Sequence, residues 1–412
     1  MRLITFDDGH FANFLPLTFT RSVGDLRCGI LKLRQRLESI FGNSESTCII
    51  INTYLEELYT ERHPDWIVNR KHPQTGLYIN SRVVINEDSI KAIKSLKPRQ
   101  VLYNGKDLVA GVFCSDDVDL FQKNCQPIIS NMIEIIPTDI GLYQSNADLI
   151  HDNARMLVWD FEHYFYDKDN YFDTELGVTV LHPYNIWIAE GVKLSPGVIL
   201  DASEGPIVLD EDVKIMPNAV LCGPLYIGKK SIVKIGAKIY GNTSIGPVCK
   251  VGGEIEGSII QAYSNKQHDG FLGHAYVGEW VNIGADTNNS DLKNTYKNVA
   301  YYSYPQRAKV TSSTPFLGCV IGDHSKIGIN CSINTGAVIG IGCNLWGSDL
   351  ITDFIPDFSW GEADNLTPYR ISAFYETASI VKQRRHLELS ETERVLFNQI
   401  CNGDLSARFY RS

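Results

Sequence analysis

From Leu209 onward one kind of side chain returns every sixth residue: Leu209, Ile215, Leu221, Ile227, Val233, Ile239, Ile245 and Val251. A second run keeps the same step at Ile321, Ile327, Ile333, Ile339, Leu345 and Ile351, and shorter pieces stand at Ile188, Leu194 and Leu200 and at Val277 and Ile283. Four residues after most anchors sits a small side chain, as at Ala219, Ser231, Ala237, Thr243 and Cys249. A helix repeats every 3.6 residues and a strand every two, so a strict six fits neither alone. It predicts a three-sided solenoid of short strands whose anchors point into one continuous core. The nineteen anchors amount to a little over six coils of eighteen residues, which at ~4.8 Å per coil make a prism on the order of 30 Å long.

Two interruptions predict loops thrown out from the prism. The step from Val251 to Val277 is twenty-six residues, so 257–276 is expected to loop out, and a second break runs from Asp286 to Phe316. The nine-residue step from Leu200 to Leu209 predicts a bulge within Asp201–Pro206. Loops extruded from rigid scaffolds are where repeat proteins place function.

Residues 1–150 carry a different pattern. Strands are expected at Arg2–Phe6, Thr47–Ile51, Trp66–Asn69, Leu77–Ile85 and Gln100–Val112, with helices at Gly29–Ile40 and Tyr54–Arg62. Strands alternating with helices predict a parallel α/β sheet. A linker over 151–185, containing an aromatic-rich helix at Leu157–Phe165, leads to hexads over 186–352. The C-terminal 353–412 read as two helices, Ala373–Glu388 and Ser390–Asn402, expected to cap the open end of the prism. Ser390-Glu391-Thr392-Glu393 forms the capping box of the second.

Composition narrows the class. Hydrophobic residues make up 44% of the 412 and charged residues 21%, ordinary for a soluble globular chain. A net charge of −10 argues against nucleic acid or an anionic membrane as the main partner. No apolar run reaches the ~18 residues a spanning helix needs, and Met1-Arg2-Leu3-Ile4-Thr5-Phe6-Asp7-Asp8 turns acidic too soon for a signal peptide. The ten cysteines lack any CxxC pair and are read as reduced thiols in a cytoplasmic protein.

Gly273-His274-Ala275-Tyr276-Val277-Gly278, followed by Val281-Asn282-Ile283-Gly284-Ala285-Asp286-Thr287, resembles a signature of the bifunctional bacterial enzymes that acetylate glucosamine-1-phosphate and then uridylylate the product. Their left-handed hexapeptide helix carries G-H-x-x-Y-[LV]-G and then V-N-I-G-A-G-T. The resemblance implies that His274 is the general base that deprotonates a sugar amine before its attack on acetyl-CoA, a task suited to a neutral imidazole. Tyr276 and Asn282 would line the sugar pocket, and Lys297 would hold the substrate phosphate. This chain departs from the family in having one residue fewer between His274 and Tyr276, and Asp286 at the second glycine.

Leu15-Pro16-Leu17-Thr18-Phe19-Thr20-Arg21 is similar to the opening of sugar-1-phosphate nucleotidyltransferases, L-A-G-G-x-G-T-R-L-x-P-L-T-x-x-R-P-K, whose glycines cradle a triphosphate. Laid over that opening, the glycines become Asp8, Gly9 and Phe11, the arginine falls at Asn13 and the lysine at Val23. Gly9, Arg21, Arg27 and Lys32 are then the phosphate-binding candidates, with Mg²⁺ a possible companion. Arg21 and Arg27 read equally well as surface arginines.

The fold expected is therefore an α/β nucleotidyltransferase-like, Rossmann-like domain followed by a left-handed parallel β-helix with a C-terminal helical cap. The function implied is acyl transfer from acetyl-CoA to an amino-sugar phosphate or nucleotide sugar, beside a nucleotidyltransferase-like domain, in a homotrimer. Two other readings stand beside it. Exchange-factor subunits of translation initiation pair the same folds as scaffolds. Hexapeptide carbonic anhydrases bind zinc through three histidines, for which His268, His274 and His324 are the candidates.

Overall fold

The computed structural model describes residues 1–42, 46–70, 75–114, 121–122, 126–127, 133–170, 176–403 and 405. The N-terminal sheet is mixed rather than parallel. Strands β1 (Arg2–Phe6), β2 (Cys48–Ile50), β3 (Ile67–Val68) and β4 (Gly76–Asn80) run parallel, but β6 (Asp107–Phe113) lies antiparallel to β4 and to β5 (Gln100–Asn104). The sheet order is β3-β2-β1-β4-β6-β5, closed by Glu134–Pro137. The single strand expected over Gln100–Val112 is a hairpin. Gly105-Lys106 turns it, with Gly105 at φ +60°, and glycine at the first central position is what a two-residue II′ turn requires.

Helix α1 (Leu33–Phe41) starts four residues later than the pattern suggests. Gly29, Ile30 and Leu31 donate their N–H groups sideways, to Asn153 at 2.7 Å and to Asp160 at 2.8 and 3.0 Å. Both acceptors lie on α4 (Asn146–Tyr164), a nineteen-residue helix that Ser145 caps by accepting from the Asp148 N–H. Asp160 is fully buried and also takes Arg36 from α1 at 2.7 Å. Among the described residues α2 (Glu56–Arg62) and α3 (Glu87–Lys94) complete the helices of this domain.

The rest of the chain is a left-handed parallel β-helix whose faces are sheets of six, nine and ten strands, the six-stranded face resuming after a break as a sheet of three. Its anchors fill one core, with Leu209, Ile215, Leu221, Ile227, Val233, Ile245 and Val251 all at 0% exposure. The prism begins earlier than the hexads, at Thr179–Leu181.

The segment 257–276 does not loop out. It is a coil of the prism, pairing through Ile259–Ile260, Asn265–Lys266 and Phe271–Gly273 with the coil before it. The inward positions there are Ile255, Ile260, Lys266 and Leu272, because two corners are shortened. The extruded segment is the second one. After Asn288–Asn289 the chain leaves the prism, forms the hairpin Ala300–Ser303 with Ala308–Thr311, and returns at Val320–Ile321.

Lys266 replaces an aliphatic anchor and is only 2% exposed. Its ammonium donates to the carbonyls of Gly252 at 3.2 Å and His268 at 2.9 Å, and burial pushes the amine down from 10.5 to about 8. Between pH 8 and 10.5 the unfolded chain then binds a proton that the fold does not, so stability rises with pH across that window. Lys266→Met is expected to shrink that rise. It should also raise stability at pH 7 by on the order of 1 kcal/mol, since a buried charge gives way to an apolar chain. Urea unfolding at pH 7 and pH 10 measures both, and an unchanged pH slope would show that Lys266 is charged at no cost.

The nine-stranded face is given over to the N-terminal domain. Its outward residues Val208, Tyr226, Ile259, Tyr276, Val320 and Val338 are all buried, against Ile30, Leu157 and Phe161, against Val23 and Leu26, and against Phe19. The C-terminal helices α5 (Ile371–Gln383) and α6 (Glu391–Cys401) lie on the flank, where Phe374 and Phe397 meet His324 and Arg62 pairs with Glu393. The open end is closed instead by the hairpin Ser359–Glu362 with Asn365–Pro368, which lays Ala363 and Leu366 on the core. All nine described cysteines are free, and Cys125 lies outside the described residues. No described helix is long and apolar enough to cross a membrane.

Candidate functional site

Strand Phe271–Gly273 ends one face, Tyr276–Val277 begins the next, and His274 turns the corner between them at φ +43°. Its Nδ1 lies 2.7 Å from Oδ2 of Asp291, the residue at which the extruded segment departs. That segment returns at Phe316, whose ring centroid is 5.2 Å from the imidazole, and Leu317 N–H donates to the Asp291 carbonyl at 2.9 Å. The two ends of the loop thus clasp beside the histidine.

Gly257 makes room on the other side. A Cβ there would stand 2.9 Å from both Cδ2 and Nε2 of His274. The side chains of His274 and Asp291 are 21% and 16% exposed, half-sheltered without being sealed. His151 of α4 faces the same corner, where burial and the neighbouring His274 push its imidazole below the ordinary value. A carboxylate on Nδ1 fixes the tautomer and leaves Nε2 with a lone pair, the arrangement of a general base.

The other residues expected at this site are elsewhere. Tyr276 is 0% exposed, and its hydroxyl bonds the backbone of Arg27, accepting from the N–H and donating to the carbonyl, each at 2.8 Å. It clamps one domain to the other and offers no surface to a sugar. Asn282 points out from the ten-stranded face, away from His274, into a cavity under α5. Lys297 is exposed on the extruded segment.

The phosphate-binding candidates do not converge either. Arg21 is 4% exposed and forms a buried pair with Asp323 at 2.5 Å, with Glu279 3.3 Å away. Arg27 is 5% exposed, bonded to the Ile30 carbonyl and stacked over the Tyr226 ring at 4.9 Å. Both hold the domains together, so the surface reading fails along with the phosphate one. Lys32 lies 3.5 Å from Asp25, and Gly9 sits in the short turn Gly9–Phe14.

The place of the glycine cradle is filled by charge. Asp8 takes the buried Arg82 guanidinium at 3.0 and 2.5 Å and Asn80 at 2.8 Å. Burial would raise its carboxyl, but bonds from His10 and Arg82 hold it well below the usual range. Donor atoms of Asp8, His10 and Asp107 lie within 4.8 Å of one another. Two carboxylates and an imidazole are donors a divalent cation accepts. Arg82, however, already bonds Asp8 and stands 3.3 Å from Asp107, so a cation would have to displace it. Sequence reading missed Arg82, whose only signal was the excess acid of Asp7-Asp8.

The three histidines weighed for zinc are not brought together. His268 is exposed on a corner, His274 pairs with Asp291 on another, and His324 is buried between Trp280, Phe374 and Phe397.

Residues 3–167 match the family described as sugar nucleotidyl transferase. The bifunctional protein GlmU of Synechococcus sp. (strain CC9311) is 30% identical over 184 residues, 44% of this chain and 35% of that protein. The bifunctional protein GlmU of Methanococcus aeolicus is 33% identical over 156 residues, 37% of this chain and 36% of that protein. The match thus spans about a third of the length of these relatives. Among solved structures, UDP-N-acetylglucosamine acyltransferase of Arabidopsis is 15% identical, covering 57% of this chain and 92% of its own, at a TM-score of 0.21. Over residues 3–167 the chain is thus similar to the sugar nucleotidyl transferase family, and over less than half of its length it is similar to bifunctional GlmU proteins.

Proposed function

We propose that the chain is a transferase of sugar-nucleotide metabolism that moves an acetyl group from acetyl-CoA to the amine of an amino-sugar phosphate or nucleotide sugar. The observation that carries this reading is the His274–Asp291 pair at 2.7 Å, beside the mouth of the extruded segment. Nε2 of His274 takes a proton from the sugar amine as its nitrogen attacks the thioester carbonyl. The C–N bond forms, the C–S bond breaks, and the CoA sulfur leaves with a proton. Asp291 holds the imidazolium that forms and keeps it oriented. The reaction belongs to a homotrimer in the cytoplasm, in which a neighbouring prism supplies the remaining walls. Thiol release from acetyl-CoA, measured with glucosamine-1-phosphate and with amino-sugar nucleotides, tests the reading. No release above the uncatalysed rate with any of them would overturn it.

The N-terminal domain supports a second reading for its own half, that of a structural partner. A cradle occupied by Asp8 and Arg82 repels the negative phosphoryl oxygens on one side and has its guanidinium engaged on the other. Nucleotidyl transfer, with Mg²⁺ as the implied cofactor, is expected to be at least about a hundredfold below an ordinary turnover. Pyrophosphate release from NTP and sugar-1-phosphate measures it, and a rate near 10 s⁻¹, about the common enzyme median, would restore the catalytic reading.

A further inference from the structure

On the ten-stranded face, Lys250, Asn265, Asn282 and Lys326 stand in register on four successive coils. They form the floor of a cavity of about 290 Å³, roughly 14 Å from first to last at the ~4.8 Å spacing of strands. The end of α5 supplies a wall with Arg384 and Arg385, and at the adjoining corner Tyr263 and Trp280 stack at 4.2 Å.

Among the described residues four basic side chains and no carboxylate line this cavity, burial pushing the Lys326 amine down to about 7. The nearby acids are committed elsewhere: Glu393 to Lys382 and Arg62, Glu279 and Asp323 to Arg21. Lys326 donates to the carbonyls of Trp280 and His324 at 2.7 and 2.8 Å, and Arg385 reaches Asn265 at 3.3 Å while its buried Nε has no partner among the described residues. Burial, then Arg385 and Arg384, depress the Lys250 amine below its ordinary value. A helix C-terminus favours cations, which accounts for two arginines following α5. It does not account for two lysines on the facing sheet. Gathering like charges in a half-closed cavity is unfavourable until an anion enters.

We propose that this cavity binds an organic di- or polyphosphate, its phosphoryl groups lying along the Lys250–Lys326 floor beneath Arg384 and Arg385. The site is on a face that His274 does not reach, so it stands or falls apart from acyl transfer.

Calorimetry on the full chain tests it with sodium pyrophosphate, then with ADP and with CoA, at constant ionic strength balanced with sodium chloride. The expected result is one saturating site for pyrophosphate, with the tighter of ADP and CoA naming the organic carrier. Arg384→Gln/Arg385→Gln should weaken binding at least about tenfold, the worth of one charged hydrogen bond. Lys193→Gln/Lys214→Gln, exposed in the same column but outside the cavity, should change nothing. Lys250→Gln serves as the second variant if the arginine pair unfolds, with the same expectation. The proposal is overturned by an absence of saturation up to about 10 mM pyrophosphate, by a smaller loss in the cavity variants, or by an equal loss in the lysine controls, which would be bulk charge.

Discussion

His274→Ala is expected to lower CoA release from acetyl-CoA by ~10²–10⁴-fold, the usual loss on removing a general base. The fold should survive. The side chain is partly exposed, sits at a corner and packs against one ring, Phe316, so the cost in stability should be within about 1 kcal/mol. Because residue 274 has positive φ, His274→Asn is the gentler control: asparagine tolerates that region better than alanine and cannot act as a base. Asp291→Asn should lose activity as well, through the wrong tautomer and orientation of the imidazole. Thiol release measured beside a melting curve separates chemistry from folding. Activity within threefold of the parent in His274→Asn would move the base elsewhere. Unfolding of both histidine variants would make the residue structural.

The largest effect on stability is expected at Arg21. Its guanidinium joins the N-terminal domain to Asp323 and Glu279 of the prism, and Asp323 also accepts from the Thr20 hydroxyl at 2.6 Å. Arg21→Met removes the cation and leaves two sheltered carboxylates facing apolar surface. Breaking one side of a buried pair costs about 3–5 kcal/mol. Replacing Asp323 as well, Arg21→Met/Asp323→Leu, should recover part of that, since Glu279 is then the one sheltered carboxylate left without its cation. Urea unfolding of the three proteins gives the comparison. A loss below about 1 kcal/mol in the single variant would mean that water reaches the pair.

The prism was legible because its periodicity and its core are the same fact: every sixth side chain points inward, so burial and sequence phase coincide. It ceased to be legible where that identity fails. In the coil after Val251 two corners are trimmed, and Lys266 takes an anchor place with its charge satisfied by carbonyls. Asn289 does the same at the start of the extruded segment, bonding both backbone groups of Gly273. A polar residue facing inward looks in sequence like a residue facing out.

The site was half legible for a related reason. His274 could be found because its motif is local. Asp291 lies seventeen residues on, at the end of the following coil of the prism, and nothing in the chain marks it. Tyr276, Arg21 and Arg27 misled because an aromatic or a guanidinium suits a ligand and a domain interface equally well. Only the neighbours decide, and here they are backbone and carboxylates of the other domain. The N-terminal sheet was read as parallel because a hairpin turn inside an apolar run hides in a count of hydrophobic residues.

The burial of the nine-stranded face has a consequence for modularity. Its outward residues are apolar over most of nine coils, roughly 40 Å at strand spacing. Prising the two domains apart would uncover on each an apolar patch beyond what soluble monomers carry. A protease that cut the linker would therefore leave a nicked but undivided particle. Gene fragments encoding either half should be insoluble alone and soluble when expressed together. For this chain the unit of inheritance is the pair, and neither domain is free to be shuffled onto another partner without first acquiring a new surface.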